Sequence, residues 1–362
     1  MSLISASDEP QRVSRVRTAD LRFDWLDVAK GIGIILVVYG HQLRAQMVSG
    51  KVDPHWYAEI QDKIIYAFHM PLFFFISGLT IEASFRKRST KEFILTRFTT
   101  LLYPYFLWSI ISLILSLSMS DYVNHKMYIR DFAEILWKPV FQYWFIYALF
   151  FCHMISLLVG MRHIYLAFLG VAALILPIDP MIPIAVEVKL MFPYFALGII
   201  SSRIFLSSHP WRDGCVPLVV GLFFAFSFAF MFYLSMGNSS IINQYYLFIL
   251  ANLGILSVLS FSMVVGSKSG ILKILGLSSM AIFVLHTIVS SAIRLGLSMI
   301  PWLNTGILQL MLCVLVGLAL PVVIYRWAAR YGLARLFGLG DNRKLPGNFP
   351  DRQRPRSPLD CR

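Results

Sequence analysis

The chain of 362 residues is 57% hydrophobic and only 14% charged, against roughly 25% charged in soluble domains, and its mean hydropathy is +0.69. That deficit extends over most of the length, which excludes a soluble globular domain with a single membrane anchor. The net charge of +13 comes from Lys and Arg that flank apolar runs. It therefore marks membrane topology and contact with anionic lipid, and no nucleic-acid partner is expected.

Residues 1–23 are polar and basic, without the apolar core or small-residue cleavage site of a signal peptide, so the first apolar run is expected to be retained. Apolar runs follow at 31–48, 63–82, 99–119, 141–159, 163–179, 188–206, 215–236, 245–266, 271–293 and 303–326. The fifth is short, and only Gly160-Met161-Arg162-His163 separates it from the fourth, which predicts a tight helical hairpin. The expectation is an all-α polytopic membrane bundle of about ten transmembrane helices. Its expected layout is a tail over 1–23, a transmembrane domain over 24–330 and a basic, largely disordered tail over 331–362. The four cysteines, Cys152, Cys215, Cys313 and Cys361, lack the spacing of a metal or disulfide motif, and neither is expected.

Orientation follows from the basic residues in the connections. Of the 32 Lys and Arg, 24 fall in the N-terminal and C-terminal tails and alternate connections, 7 fall in the opposite set, and Arg294 lies within a run. The positive-inside rule then places both termini in the cytoplasm, in a cell inner membrane.

Ionisable groups at membrane depth are costly and mark function. Three histidines stand out: His41, His69 and His286. At 1.5 Å per residue, His41 lies about 16 Å from the cytoplasmic face and His286 about 20 Å. His69 enters from the outer face and lies about 9 Å in, or about 21 Å from the cytoplasm across a 30 Å core. The shared depth allows a common cavity open to the outside; the alternative is that each is a hydrogen-bonded tie between helices. Asp24, Asp27 and Lys30 precede the first run at spacings of three, and Lys30 and His41 are about three turns apart, so one helical face carries a cation at the mouth and a base deeper in. In the second run, Pro71 frees a backbone carbonyl, a break tolerated where backbone lines a cavity. The loop Arg86-Lys87-Arg88-Ser89-Thr90-Lys91, with Arg97 beyond it, is dense in charge that sets topology and can also clamp phosphates.

Two stretches together, Phe23-Asp24-Trp25-Leu26-Asp27-Val28-Ala29-Lys30-Gly31-Ile32-Gly33-Ile34 with Val38-Tyr39-Gly40-His41, and Phe68-His69-Met70-Pro71-Leu72-Phe73-Phe74-Phe75-Ile76-Ser77-Gly78, resemble membrane acyltransferase family 3. The branch they resemble is that of sugar O-acetyltransferases that modify exopolysaccharides, such as the xanthan type. Weaker matches occur at Tyr143-Trp144-Phe145, at 192–198 and at 275–286. The resemblance implies transfer of an acetyl group from cytoplasmic acetyl-CoA to a sugar hydroxyl on the outer side, the acceptor being a polysaccharide or a lipid-linked oligosaccharide. It maps the family's basic-residue-then-histidine motif onto Lys30 and His41. A family pair of arginines three apart maps onto Arg97 and Thr100, so the second arginine is absent here, and Arg86, Lys87 or Arg88 is expected to compensate. In this reading His41 is the base and His69 its partner, Lys30, Arg97, Arg86 and Arg88 bind the acyl-CoA, and Asp27 and His286 contact substrate. The competing reading is a secondary transporter or glycan flippase, for which inverted repeats and paired broken helices would be the sign.

Overall fold

The computed structural model describes residues 24–53, 56–118, 128, 130–178, 180–207, 214–237, 241–300 and 306–340. Among them there is no strand. The helices of eight residues or more, in chain order, are α1 Asp24–Val48, α2 Trp56–Phe85, α3 Thr90–Ser118, α4 Phe141–Leu158, α5 His163–Ile175, α6 Pro183–Leu206, α7 Val216–Gly237, α8 Gln244–Val265, α9 Gly270–Leu277, α10 Ser279–Ser298 and α11 Gly306–Arg330. Nine of these are long and apolar enough to cross a bilayer. The α5 helix has 13 residues and rises about 20 Å, short of a 30 Å hydrocarbon core. The tight connection before it turns on Gly160 at φ 65° and Met161 at φ 57°. The tail 1–23 lies outside the described residues, as does 341–362. Residues 331–340, which the sequence assigns to the tail, fold back as turns onto α3: Trp108 Nε1 donates to the Phe337 carbonyl at 2.9 Å and Tyr103 to that of Leu336 at 2.7 Å.

Lipid offers no hydrophobic force to bring helices together, so close backbone packing has to do it. Glycines provide that at the centre. A Cβ on Gly78 of α2 would overlap the Phe195 carbonyl oxygen of α6, and a Cβ on Gly198 of α6 would overlap the Phe75 carbonyl oxygen of α2. The same reciprocity ties α1 to α9, through Gly31 against Leu272 and Gly276 against Asp27. Asp24 adds an ion pair with Lys273 at 2.6 Å across that seam. These contacts hold α2 against α6 and α1 against α9. The α7 helix sits at the rim, with Phe223, Phe226 and Tyr233 exposed where lipid would lie.

Prolines stand inside the spans, among them Pro71 in α2, Pro193 in α6 and Pro321 in α11. Pro71 in α2 and Pro193 in α6 cannot donate to the carbonyls four residues earlier, those of Ala67 and Lys189. Both Ala67 and Lys189 are among the residues that line one cavity. In α3, the π turn Phe98–Leu102 runs directly into Pro104 and absorbs the register that this proline disrupts.

Candidate active site

Two cavities occupy opposite halves of the bundle. The larger, about 320 Å³, is lined by His41, Tyr66 and His69, by Gln142 and Trp144 at the start of α4, and by Glu187 and Lys189 on α6. The smaller, about 190 Å³, is lined by Lys30 and Ile34 of α1, Ser77 and Thr80 of α2, and the rings of Phe73, Phe145 and Phe283. The one face of α1 that the sequence singles out thus serves both, with Lys30 in one cavity and His41 in the other.

All three histidines converge. The rings of His41 and His286 stand 5.3 Å apart between centroids, and Tyr66 lies edge-on to His69 at 4.6 Å and to His41 at 6.2 Å. Tautomers follow from the partners. His69 Nδ1 is 2.7 Å from the Ile65 carbonyl, and His286 Nδ1 lies 3.0 and 2.9 Å from those of Ile282 and Phe283. A carbonyl only accepts, so each Nδ1 carries the hydrogen and the neutral ring keeps its lone pair at Nε2. His286 Nε2 is buried without a hydrogen-bond partner among the described residues. His286 itself is fully buried and does not line the cavity. Its ring lies against that of His41, behind the cavity wall. Residues at the start of α4 hold α10 on either side of it: Tyr143 donates to the Val284 carbonyl at 3.2 Å and Gln142 Nε2 to Thr287 at 2.7 Å.

Tyr66 was not legible from the sequence as a site residue. Its ring packs against Gly40, where a Cβ would come within 3.2 Å of it, and the Arg44 guanidinium covers its face at 3.0 Å from the centroid. Asp62 holds Arg44 through two hydrogen bonds of 2.6 and 2.9 Å. Glu187 and Lys189 were also missed as site residues, because Lys189 reads as a topogenic charge at a span boundary.

Around the smaller cavity, Lys30 pairs with Asp27 at 3.1 Å. Asp27 is therefore at the Lys30 end, about 21 Å along α1 from His41, and not beside the histidines. Ser77, Thr80 and Ser84 follow at helical spacing on α2, and Ser84 Oγ accepts from both Arg97 at 2.7 Å and Arg88 at 2.8 Å. Arg88 thus stands beside Arg97. Arg86 turns away to Glu82 at 3.1 Å on an exposed surface, and Thr100 is exposed and donates to the Thr96 carbonyl. One buried histidine, His153, escaped the sequence reading although it lies within the fourth apolar run. Its Nδ1 donates to the Leu149 carbonyl at 2.7 Å and its Nε2 is 3.3 Å from Ser77 Oγ.

The model of one protein family, described as "Acyltransferase domain", matches residues 23–326. The chain belongs to this family. Its residues Lys30, His41, His69, Ser77, Arg97, His153 and His286 all fall within the matched span, as do both cavities. Among curated proteins, it is similar to the nodulation protein NolL of Mesorhizobium japonicum, with 29% identity over 201 residues, 54% of this chain and 50% of that protein. It is also similar to NolL of Sinorhizobium fredii, with 27% identity over 186 residues, 51% and 49% respectively. The chain spans about half the length of the curated relatives it matches. No solved structure matches it. Family membership and the long apolar helices together make this a multi-pass membrane protein with an acyltransferase domain.

Proposed function

We propose that the protein transfers an acetyl group from cytoplasmic acetyl-CoA to a sugar hydroxyl on the outer side of the inner membrane, the acceptor being an exopolysaccharide or its lipid-linked repeat unit. The observation that carries the reading is the division of one helix between two cavities, with cationic Lys30 in one and His41 in the other. On the positive-inside rule the Lys30 cavity faces the cytoplasm, where Arg88 and Arg97 offer charge-assisted hydrogen bonds to the phosphates of CoA. Asp27 sets the position of Lys30 at the mouth.

In the outer cavity a sugar hydroxyl needs a base before it attacks an acyl carbon, and a neutral imidazole suits that task near pH 7. His41 is that base. When it takes the proton, the unpartnered Nε2 of buried His286 is the acceptor next to it. His69 and Tyr66 fix the wall on the other side, while Trp144 and Gln142 offer the stacking and hydrogen-bonding groups that a sugar takes. Phe283 lies between the two halves, lining the Lys30 cavity with its ring 6.3 Å from that of His286. The test is consumption of labelled acetyl-CoA by proteoliposomes holding only this protein, with acceptor glycan on the opposite face. Acceptor-dependent acetylation is expected. Glycan crossing the membrane without acetylation would overturn the reading in favour of a flippase.

A further inference from the structure

Two charged side chains of α6 line the histidine cavity without a partner of their own. Glu187 and Lys189 lie about 6 and 9 Å along α6 from Pro183, so both sit within the span, and both are half-buried. Among the described residues neither makes an ion pair or a side-chain hydrogen bond. The charged groups beside them and around the smaller cavity are paired, Arg44 with Asp62 at 2.6 Å and Lys30 with Asp27 at 3.1 Å. Residues two apart do not face each other on a helix, which is why Glu187 and Lys189 do not pair. Met70, Leu174, Leu190 and Met191 supply much of the remaining wall, so a charge there is weakly screened. Ionisable groups kept inside a span mark a path or site for a ligand. Side chains that only snorkel to the interface need water, and they have no need to share a cavity with His41.

We propose that Glu187 and Lys189 make the acceptor site specific for a neutral sugar, each holding a hydroxyl of the residue that is acetylated. The proposal rests on the sugar-acceptor reading above. A carboxylate only accepts hydrogen bonds and an ammonium only donates them, whereas a sugar hydroxyl does both. A neutral hexose therefore satisfies the two together: one hydroxyl donates to Glu187 and another accepts from Lys189, each bond charge-assisted. A uronic acid would pair with Lys189 but bring its carboxylate towards Glu187. An amino sugar would pair with Glu187 but bring its ammonium towards Lys189. Like charges repel strongly where screening is weak, so each of the two charges on α6 rejects one class of charged acceptor.

A panel of acceptors tests this. Purified protein in detergent is given labelled acetyl-CoA and matched methyl glycosides of a hexose, its uronic acid and its 2-amino sugar, in the gluco, galacto and manno series. Wild type should acetylate the neutral glycoside with a kcat/KM at least about tenfold above either charged one. Glu187→Gln removes the charge that rejects a uronic acid, so the ratio of uronide to hexoside should rise at least about tenfold. Lys189→Gln should raise the ratio of amino sugar to hexoside likewise, and KM for acetyl-CoA should not move in either variant. A wild type that prefers a charged acceptor overturns the proposal and leaves the acetyltransferase reading standing. So does a neutral preference that neither substitution shifts, the result expected of side chains that only snorkel. Acetyl transfer to no member of the panel overturns the acetyltransferase reading as well. If Glu187→Gln does not fold, the opposite shift in Lys189→Gln decides; if neither folds, the order of acceptors in wild type decides.

Discussion

His41 and His286 meet ring to ring, 5.3 Å between centroids, and His286 brings an unpartnered Nε2 to that contact from a fully buried position on α10. Removing His286 should leave His41 present but poorly held. His286→Gln should lower kcat about 10- to 100-fold, the range expected for a misplaced catalytic group, with KM for acetyl-CoA unchanged. Steady-state kinetics check this; a rise in KM without loss of kcat would contradict a role behind His41.

Arg97 and Arg88 converge on Ser84 Oγ, whereas Arg86 is spent on an exposed pair with Glu82. Hydrogen bonds to charged groups are worth about 1.5–3 kcal/mol. Arg97→Ala should therefore raise KM for acetyl-CoA about 10- to 100-fold, and Arg88→Ala should raise it as well. Arg86→Ala should change little, since exposed pairs contribute about 0–1 kcal/mol. Equal effects from all three would mean that the loop acts only through its net charge.

Orientation decides on which face each substrate is met. A reporter enzyme active only in the cytoplasm should work when fused after Arg330, at the end of α11, and fail at Gly50, in the turn that follows α1. The reverse pattern would exchange the donor and acceptor cavities. Asn238, a second connection suited to an outer-face fusion, lies outside the described residues.

Much of this was legible beforehand, for identifiable reasons. Hydropathy over 18 or more residues finds spans because only helices satisfy the backbone in lipid. The shared depth of His41, His69 and His286 follows from helix rise alone, so their convergence was within reach of counting. The placement of His286 behind His41 was not, because rise gives depth but not which side of His41 a ring occupies. Tyr66 was hidden for a different reason. An aromatic in an apolar run looks like packing until Gly40 and Arg44 are known to hold it. His153 was hidden among equally apolar neighbours, and its partner Ser77 sits on a different helix, 76 residues away in the chain.

If His41 removes the proton of the acceptor hydroxyl, His41→Gln should reveal it, because glutamine can replace a hydrogen bond but not an imidazole base. Purified His41→Gln should keep the melting temperature of the wild type and lose about 10²- to 10⁴-fold in acetyl transfer to the acceptor, as His41→Ala should. A folded His41→Gln protein with near-normal turnover would contradict the account, since a mere tie between helices is what glutamine can restore.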